Sequence, residues 1–519
     1  MPFKIRIFRS GKQICETESL PGEMLLKSLN DAGMSVDAPC GAMGRCGKCL
    51  VRTGPDEKQV LACNTPVISD MDVHIPEEFE MEIATNADTK DSQPKISVTG
   101  DRKPVPNGPL GVAFDIGTTT VVAHLTEIET GRRIATASGV NAQRPYGADV
   151  ISRIKYCISN GHETLTQVIR KQLESLTRQV CADSGADIHD IIYITIAANT
   201  VMEHLAAGYS PVSMGTVPFT PVSLFGEEQA LWESFPADKA AKVYFSPAVT
   251  AYVGGDITAG ILAAGLEETP GPVVYLDIGT NGELALKSGD TYYCCATAAG
   301  PAFEGAEIFM GMAATTGAIS HIKWTGEPEL TVIGDVKPRG LCGSGLIDAL
   351  AVLLETGAVD ETGRLLEADE IEHDIARYIC RTGKNNAFWL TKGEDGVCVT
   401  AGDIRKLQLA KAAIAAGIET LLHHSGIPAD KLKALILAGG FGSFMDINSA
   451  AGIGLFPKSF LPVSKALGNT AGEGAALALN SKSVREQLSD IRKRCEYIEL
   501  STSVVFNEQF VEQMMFEDN

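Results

Sequence analysis

The chain has 519 residues, 45% hydrophobic and 21% charged, with no low-complexity period, which excludes a single small domain, a fibre and a disordered polymer. Lys and Arg number 44 against 65 Asp and Glu, a net charge of −21, so the surface repels phosphate backbones and nucleic acid is not an expected partner. The opening MPFKIRIFRSGK has no apolar signal core, and the apolar stretches 257–266 and 407–422 are too short or are broken by Lys411, so a cytoplasmic protein without a membrane partner is expected.

Residues 1–80 carry their own signals. Phe3–Phe8 alternates like a half-buried strand, Gly11 marks a turn, Gly22–Asn30 has helical spacing, and Leu50–Arg52 and Val73–Ile75 read as short strands. Between helix and strands lies Cys40-Gly-Ala-Met-Gly-Arg-Cys46-Gly-Lys-Cys49, followed by Leu61-Ala-Cys63, a C-x5-C-x2-C-x13-C spacing. In a reducing compartment such a group holds a metal or does redox chemistry rather than forming disulfides. Four thiolates suit two sulfide-bridged irons with three ligands on one loop, and Gly41, Gly44 and Gly47 let backbone N–H groups approach the cluster sulfurs. A structural zinc ion is the alternative, although zinc ribbons generally use two short Cys pairs. The stretch resembles a [2Fe-2S] ferredoxin domain, down to the Leu-Ala-Cys at the last ligand. That resemblance implies a β-grasp fold with Cys40, Cys46, Cys49 and Cys63 as metal ligands. Cys15, Cys157, Cys181, Cys380, Cys398 and Cys495 are isolated and read as small hydrophobes. Cys294 and Cys295 are neighbours in a strand and point to opposite faces, and Cys342, set among glycines, is the one worth watching.

Residues 81–109 are polar and contain Pro94, Pro104, Pro106 and Pro109, the composition of a linker. An apolar strand then runs into Asp115-Ile-Gly117-Thr118-Thr119-Thr120 and another leaves it. The same unit recurs at Asp277-Ile-Gly279-Thr280-Asn281-Gly282, so the chain is expected to contain two similar lobes. Turns of this kind bind phosphate: glycine permits close approach, N–H groups and hydroxyls bond the oxygens, and the Asp holds Mg²⁺ directly or through water. No P-loop and no strand followed by G-x-G-x-x-G is present. Asn199 and Thr200 begin a helix after the strand 191–197, with His204 read as structural. Leu435–Ala438 is a strand emptying into Gly439-Gly440-Phe441-Gly442-Ser443, suited to lie against a base or ribose. Thr470-Ala-Gly472-Glu-Gly474 opens a helix of small residues.

In this order the segments resemble the ATPase fold shared by acetate and sugar kinases, actin and the actin-like heat-shock chaperones. The resemblance implies a bilobal α/β ATPase with duplicated ribonuclease-H-like lobes over 110–519. Lobe I would span about 110–255 plus the helix at about 470–480, and lobe II about 271–468. Its phosphate loops would lie at Asp115–Thr120 and Asp277–Gly282, an adenosine motif at Gly439–Ser443, and connecting helices near Asn199 and at Gly472–Ala476. The whole chain adds Asn141-Ala-Gln-Arg-Pro-Tyr-Gly-Ala-Asp149, Val253-Gly-Gly-Asp256, Gly300-Pro-Ala-Phe-Glu304, Gly343-Ser344-Gly345 and Phe506-Asn-Glu-Gln-Phe-Val. With both halves together it resembles the reductive activators of corrinoid proteins.

That resemblance implies a [2Fe-2S] cluster, ATP and Mg²⁺, and one-electron reduction of inactive Co(II) to Co(I) in the corrinoid protein of a methyltransferase system. Each 59 mV of uphill mismatch costs about 1.4 kcal/mol, so a cluster alone is insufficient, and ATP binding or hydrolysis is expected to close the lobes and change how the partner is gripped, altering the cobalt environment or trapping the product. Asp115 and Asp277 would organise Mg²⁺ and water, with Asp256 and Glu304 as further catalytic carboxylates. Gly117, Thr118, Thr119, Thr120, Gly279, Thr280, Asn281, Gly282, Gly343, Ser344, Gly345, Gly439, Gly440, Gly442 and Ser443 would bind the nucleotide. A ferredoxin or flavoprotein electron donor and a homodimer are expected. The alternatives are an ATP-driven electron donor to another metalloenzyme, such as a dehydratase, and a kinase with a zinc-binding regulatory domain.

Overall fold

In the N-terminal segment, alternating apolar residues build a mixed sheet. The structure is a computed structural model that describes residues 2–34, 36, 38, 44, 49–54, 57–75, 108–305, 307–383, 385–393, 396–440 and 445–516. Strands β1 (Phe3–Arg9), β2 (Lys12–Ser19), β3 (Leu50–Thr53), β4 (Lys58–Leu61) and β5 (Met71–His74) pair in the order β2-β1-β5-β3-β4. β1 and β5 are parallel and the other pairs antiparallel. Helix α1 (Leu25–Asp31) buries Leu25, Leu26 and Leu29 with Ile5, Ile7, Val51 and Val73. This is the expected β-grasp arrangement. β2 and β4 carry too few buried residues to announce themselves as strands. The linker expected at 81–109 lies outside the described residues apart from Gly108 and Pro109.

The remaining chain builds two six-stranded sheets of one plan. The first contains β6 (Leu110–Ile116), β7 (Thr120–Glu127), β8 (Arg133–Val140), β9 (Ile191–Ala198), β10 (Glu228–Ala230) and β11 (Lys242–Phe245), ordered β10-β11-β9-β6-β7-β8. Helices α2 (Val150–Asn160), α3 (Glu163–Ser184) and α4 (Thr200–Ala207) accompany this sheet, and α5 (Gly255–Ala263) follows it. The second contains β12 (Val273–Ile278), β13 (Gly282–Ser288) and β14 (Thr291–Thr297). Next in the chain come a small sheet of β15 (Ala318–Trp324), β16 (Pro328–Val332) and β17 (Gly340–Leu341), then α6 (Gly343–Glu355). A second small sheet, β18 (Ile379–Thr382), β19 (Asn385–Trp389) and β20 (Cys398–Thr400), leads into α7 (Ala401–Ser425). β21 (Ala434–Ala438), α8 (Ile447–Gly452), β22 (Ser464–Gly468), α9 (Thr470–Asn480), α10 (Lys482–Arg494), β23 (Cys495–Tyr497) and α11 (Val504–Glu512) complete the chain. The second large sheet is ordered β22-β21-β12-β13-β14-β23.

In each large sheet an antiparallel hairpin, β6–β7 or β12–β13, lies beside a parallel strand, β9 or β21. The duplication read from the two Asp-Ile-Gly-Thr turns is therefore a duplication of topology. The central strands are buried on both sides, as parallel sheets covered by helices require. Cys294 belongs to one hydrophobic cluster and Cys295 to another, so the two thiols do face opposite sides of β14.

Small residues set how the two halves meet. α9 follows β22 of the second sheet in the chain but packs on the first, where Thr195 donates to the Ala475 carbonyl at 2.6 Å. α5 follows the first sheet yet its Ile257 and Ile261 share a core with Val273 and Tyr275 of the second. The two helices cross backbone to backbone: a Cβ at Gly474 would overlap the Ala259 carbonyl. The expected connecting helix near Asn199 is corrected here, because α4 packs inside the first lobe and α5 is the helix that crosses α9.

A side chain at this crossing has nowhere to go. Gly474→Val is expected to lower the unfolding free energy by about 1–3 kcal/mol, read by urea denaturation of the whole chain. Gly402→Ala, on α7 where a new Cβ meets only the Thr400 hydroxyl at 3.6 Å, should be neutral or slightly stabilising.

Candidate functional site

The two duplicated turns face one another across the seam between the sheets. In the first, a Cβ at Gly117 would lie 2.8 Å from the Thr120 carbonyl, so only glycine closes the turn tightly. The loop is braced from outside. Asn141 donates its amide to the Gly117 carbonyl at 2.8 Å, and its backbone N–H bonds the Thr119 carbonyl at 2.8 Å. Arg153, fully buried on α2, donates to the Thr118 carbonyl at 2.5 Å, the Gly147 carbonyl at 2.9 Å and Gln143 at 3.1 Å. Burial among these neutral acceptors pushes its guanidinium down to about 9. Asn199 donates to the Thr118 hydroxyl at 3.2 Å while capping α4 through the Met202 N–H. Thr120 is the first residue of β7.

The second turn is one residue shorter: Ile116 pairs with Val121 across the first, Ile278 with Gly282 across the second. The Gly279 N–H bonds the Asn281 carbonyl at 2.9 Å, and Asn281 hydrogen-bonds the Glu283 carboxyl. Gly439, in the left-handed region at φ 92°, places its backbone so that a Cβ would lie 2.6 Å from Asp277 Oδ1, whereas Gly440 opens onto free space. The glycine turn that begins at Gly439 therefore starts beside the second of the duplicated turns. Gly442 and Ser443 lie outside the described residues.

Four carboxylates gather where the turns meet. Asp115 is raised to about 7 by burial and by the Asp277 charge, eased by the Asn469 amide, which donates to it at 2.8 Å. Asp256, at the start of α5, is raised to about 8 by burial and by Asp277 and Asp115. Asp277 is raised to about 6 by burial, eased by the Tyr275 hydroxyl at 3.2 Å. Glu283 is raised by burial and then by Asp256 and Asp277. The donors that ease this repulsion are neutral. Among the described residues no ammonium or guanidinium is named as a charge acting on these hard oxygens, a set that suits a divalent cation. Among the described residues no three acidic, His or Cys side chains converge into a ready-made metal cage, so a cation here would be held by one or two carboxylates and water, as Mg²⁺ prefers.

Glu304 bridges the loops. Its Oε2 accepts from the Thr119 hydroxyl at 2.8 Å and from the Thr280 hydroxyl at 2.9 Å, and these hydroxyls are 3.5 Å apart. Gly343, Ser344 and Gly345 open α6: the Ser344 hydroxyl lies 3.3 Å from Cys342 Sγ, and Gly345 sits against the Ile319 carbonyl. Cys342 is a buried residue preceding α6, with its thiol 3.4 Å from the same carbonyl. His204 is structural, as expected: Nδ1 lies 2.7 Å from the Thr200 carbonyl, and Nε2 accepts from Val222 at 3.0 Å. Burial pushes its imidazole down to about 4.

In the N-terminal sheet Cys49 and Cys63 are buried with their sulfurs 3.2 Å apart, and the Ala62 N–H bonds the Cys49 carbonyl at 2.8 Å. That separation is too long for a disulfide, whose sulfurs sit about 2.05 Å apart. It brings two soft donors to one point, the set an iron–sulfur cluster uses. Gly44 has φ 72° and fits against Asn64, where a Cβ would lie 2.5 Å from the amide nitrogen. Cys40 and Cys46 lie outside the described residues.

Sequence reasoning passed over Asn469, Tyr275, Glu283 and Arg153 as site residues. Asn469 had a signal, since an Asn immediately before a helix of small residues is a cap. Arg153 had none, because nothing in its neighbourhood points to Thr118.

Comparison with known proteins places the three parts in order. A 2Fe-2S iron-sulfur cluster binding domain model matches residues 8–67, the RACo middle region matches 110–269, and the C-terminal domain of RACo, the ASKHA domain, matches 272–519. The chain is 32% identical to the corrinoid activation enzyme RamQ of Eubacterium limosum, over 94% of this chain and 95% of that protein. It is 25% identical to the [Co(II) methylated amine-specific corrinoid protein] reductase of Methanosarcina barkeri, over 78% and 77% respectively. A solved reductive activator for corrinoid, iron-sulfur protein superposes with a TM-score of 0.72 at 28% identity, covering 99% of this chain and 98% of that one.

The raised carboxylates make stability depend on pH. Asp115, Asp256 and Asp277 bind protons more tightly folded than at their ordinary value of 3.8, so their contribution is full below that value and is lost as pH rises through about 6 to 8. The melting temperature of the metal-free protein is expected to fall across this window. Asp256→Asn should flatten the fall and raise the melting temperature at its upper end, followed by calorimetry against pH.

Proposed function

The chain belongs to the family of ATP-dependent reductive activators of corrinoid proteins, and from this premise we propose how its residues divide the work. The protein returns a corrinoid protein from Co(II) to Co(I) by transfer of one electron, coupled to ATP. The observation that supports this most is the coexistence in one chain of a gathered pair of buried thiols, Cys49 and Cys63, and two phosphate-type turns closing on a shared carboxylate.

We assign residues 1–80 to the electron-carrying domain, 81–109 to a linker and 110–519 to the ATPase. Lobe I covers about 110–255 with the helix at about 470–480, and lobe II about 271–468. Cys40, Cys46, Cys49 and Cys63 would hold the [2Fe-2S] cluster, which supplies a single low-potential electron when bound. A cluster held within one chain is also what separates this reading from dehydratase-type activators, whose cluster lies between subunits.

In the ATPase, Thr118, Thr119, Thr120, Thr280 and Asn281 offer hydroxyl and amide groups to phosphate oxygens. Gly117, Gly279 and Gly282 keep the loop backbone free of side chains, and Gly439 and Gly440, with Gly442 and Ser443, offer a flat approach to the nucleoside. Gly343, Ser344 and Gly345 act through the placement of α6. Asp115 and Asp277 would hold Mg²⁺ with its waters, Asn469 and Tyr275 fixing these two carboxylates, and Asp256 would help orient the water that attacks ATP. Because each lobe supplies one phosphate loop and α5 and α9 cross between them, a nucleotide that draws the loops together changes the surface the corrinoid partner sees. A ligand shifts such an equilibrium only by its differential affinity for the two forms. The electron donor is a ferredoxin or flavoprotein, the protein acts in the cytoplasm, and a homodimer is the assembly favoured by base rate.

Mixing the purified protein with a cob(II)alamin-bearing partner, a chemical reductant and ATP is expected to give the absorbance of Co(I), and omitting ATP should suppress it. No ATP-dependent signal with a functional partner would defeat the proposal. Iron analysis should return two irons per chain. Cys63→Ala should lose them and the Co(I) signal while keeping ATP binding, measured by calorimetric titration.

A further inference from the structure

Glu304 stands between the two duplicated turns. It closes a one-turn helix, Pro301–Glu304, set between Gly300 at φ 79° and Gly305 at φ 72°. A Cβ at Gly305 would run into the backbone of Met312, so the turn that aims Glu304 is locked from behind. From there one carboxylate oxygen takes the hydroxyl protons of both Thr119 and Thr280, one from each duplicated loop. Burial raises its carboxyl above the ordinary value, and the two threonine hydroxyls, then the charges of Arg144 and Arg153, work against that rise on the side of the anion.

A threonine hydroxyl has one proton and can donate it to one acceptor at a time. Thr119 and Thr280 can therefore serve Glu304 or a phosphate oxygen, and a phosphate that takes both must displace a negative charge already there. We infer that Glu304 is an internal stand-in for the terminal phosphate of ATP, a latch that ties the two loops together and that only a ligand carrying its own anion to both hydroxyls releases. The inference rests on the assignment of the two loops to a nucleotide and gives Glu304 a role other than catalysis.

Two consequences follow from the geometry. Competition with Glu304 weakens triphosphate binding, because the carboxylate and the incoming phosphate repel one another at hydrogen-bond range. It also makes the site discriminate: a diphosphate that does not reach both hydroxyls leaves the latch closed. The coupling of ATP to partner recognition then begins at this exchange, since release of Glu304 frees the Pro301–Glu304 turn from the first lobe.

The test is calorimetric titration of ATP and ADP into the cluster-loaded wild type and its Glu304→Gln and Glu304→Ala variants, with steady-state hydrolysis alongside. Glu304→Gln keeps an oxygen that accepts from both threonines but removes the charge, so the fold is retained, as its melting curve should show. Loss of a like charge at this range is expected to tighten ATP binding about ten- to hundredfold and lower KM to match, with ADP affinity unchanged. Glu304→Ala should tighten ATP in the same direction. Unchanged ATP affinity with hydrolysis abolished in both variants would overturn the latch and return Glu304 to the chemistry. Equal tightening of ATP and ADP would overturn the assignment to the terminal phosphate. A wild type that binds no ATP would instead overturn the nucleotide site on which the inference stands.

Discussion

The mutual repulsion of Asp115, Asp256 and Asp277 is the constraint around which the larger part of the molecule is organised. Three carboxylates in a low-dielectric seam, each raised above its ordinary value by burial and two of them, Asp115 and Asp256, also by neighbouring carboxylates, cost folding free energy. The chain tolerates them because rigid elements hold each one: Asp115 and Asp277 end paired central strands, and Asp256 opens α5. Neutral donors ease the repulsion without abolishing it. Asn469 reaches Asp115 from the cap of α9, and Tyr275 reaches Asp277 while bonding Thr470 at 2.7 Å on that same helix. One helix end thus serves the carboxylates of both lobes.

That arrangement depends on the crossing of α5 and α9. α9 packs on the first sheet, α5 lies between the sheets with Ala259 against the first and Ile257 and Ile261 against the second, and the glycine contact at Gly474 lets the axes come close enough for the two turns to face each other. The near twofold relation explains why the turns look alike. The departures from it carry the chemistry: the second turn is shorter, the strand beside the first leads into a capped helix at Asn199, and the strand beside the second leads into the open turn at Gly439. One side is braced from behind by Asn141 and Arg153, while on the other a Cβ at Gly440 would meet no described neighbour.

Much of this was legible in the sequence. Apolar runs flanking Asp115 and Asp277 announce buried strands, the repeated Gly-Thr announces the turns, and four cysteines around three glycines announce a cluster loop. Elements with few apolar residues escaped, as β2 and β4 show, because pairing rather than burial makes them strands. The connecting helix was misplaced to the neighbourhood of Asn199. Both α4 and α5 are apolar helices after a strand, and only the partner each packs against tells them apart. Gly343, Ser344 and Gly345 open α6, and the packing of Gly345 against the Ile319 carbonyl is a contact that the sequence does not show.

The sequence by itself determined what local order can specify: which strands are buried, where the chain turns, which glycines are needed there, and that soft sulfur donors are concentrated in one loop and hydroxyls in two others. Those properties depend on residues a few positions apart, so they survive without a fold. The tertiary structure alone decided that Asp256 joins Asp115 and Asp277, that Arg153 holds Thr118, and that Glu304 lies between Thr119 and Thr280. Electrostatic energy and hydrogen bonding act over a few ångströms of space, and the residues they join here are separated by up to 185 positions of chain, a distance over which no sequence pattern records proximity.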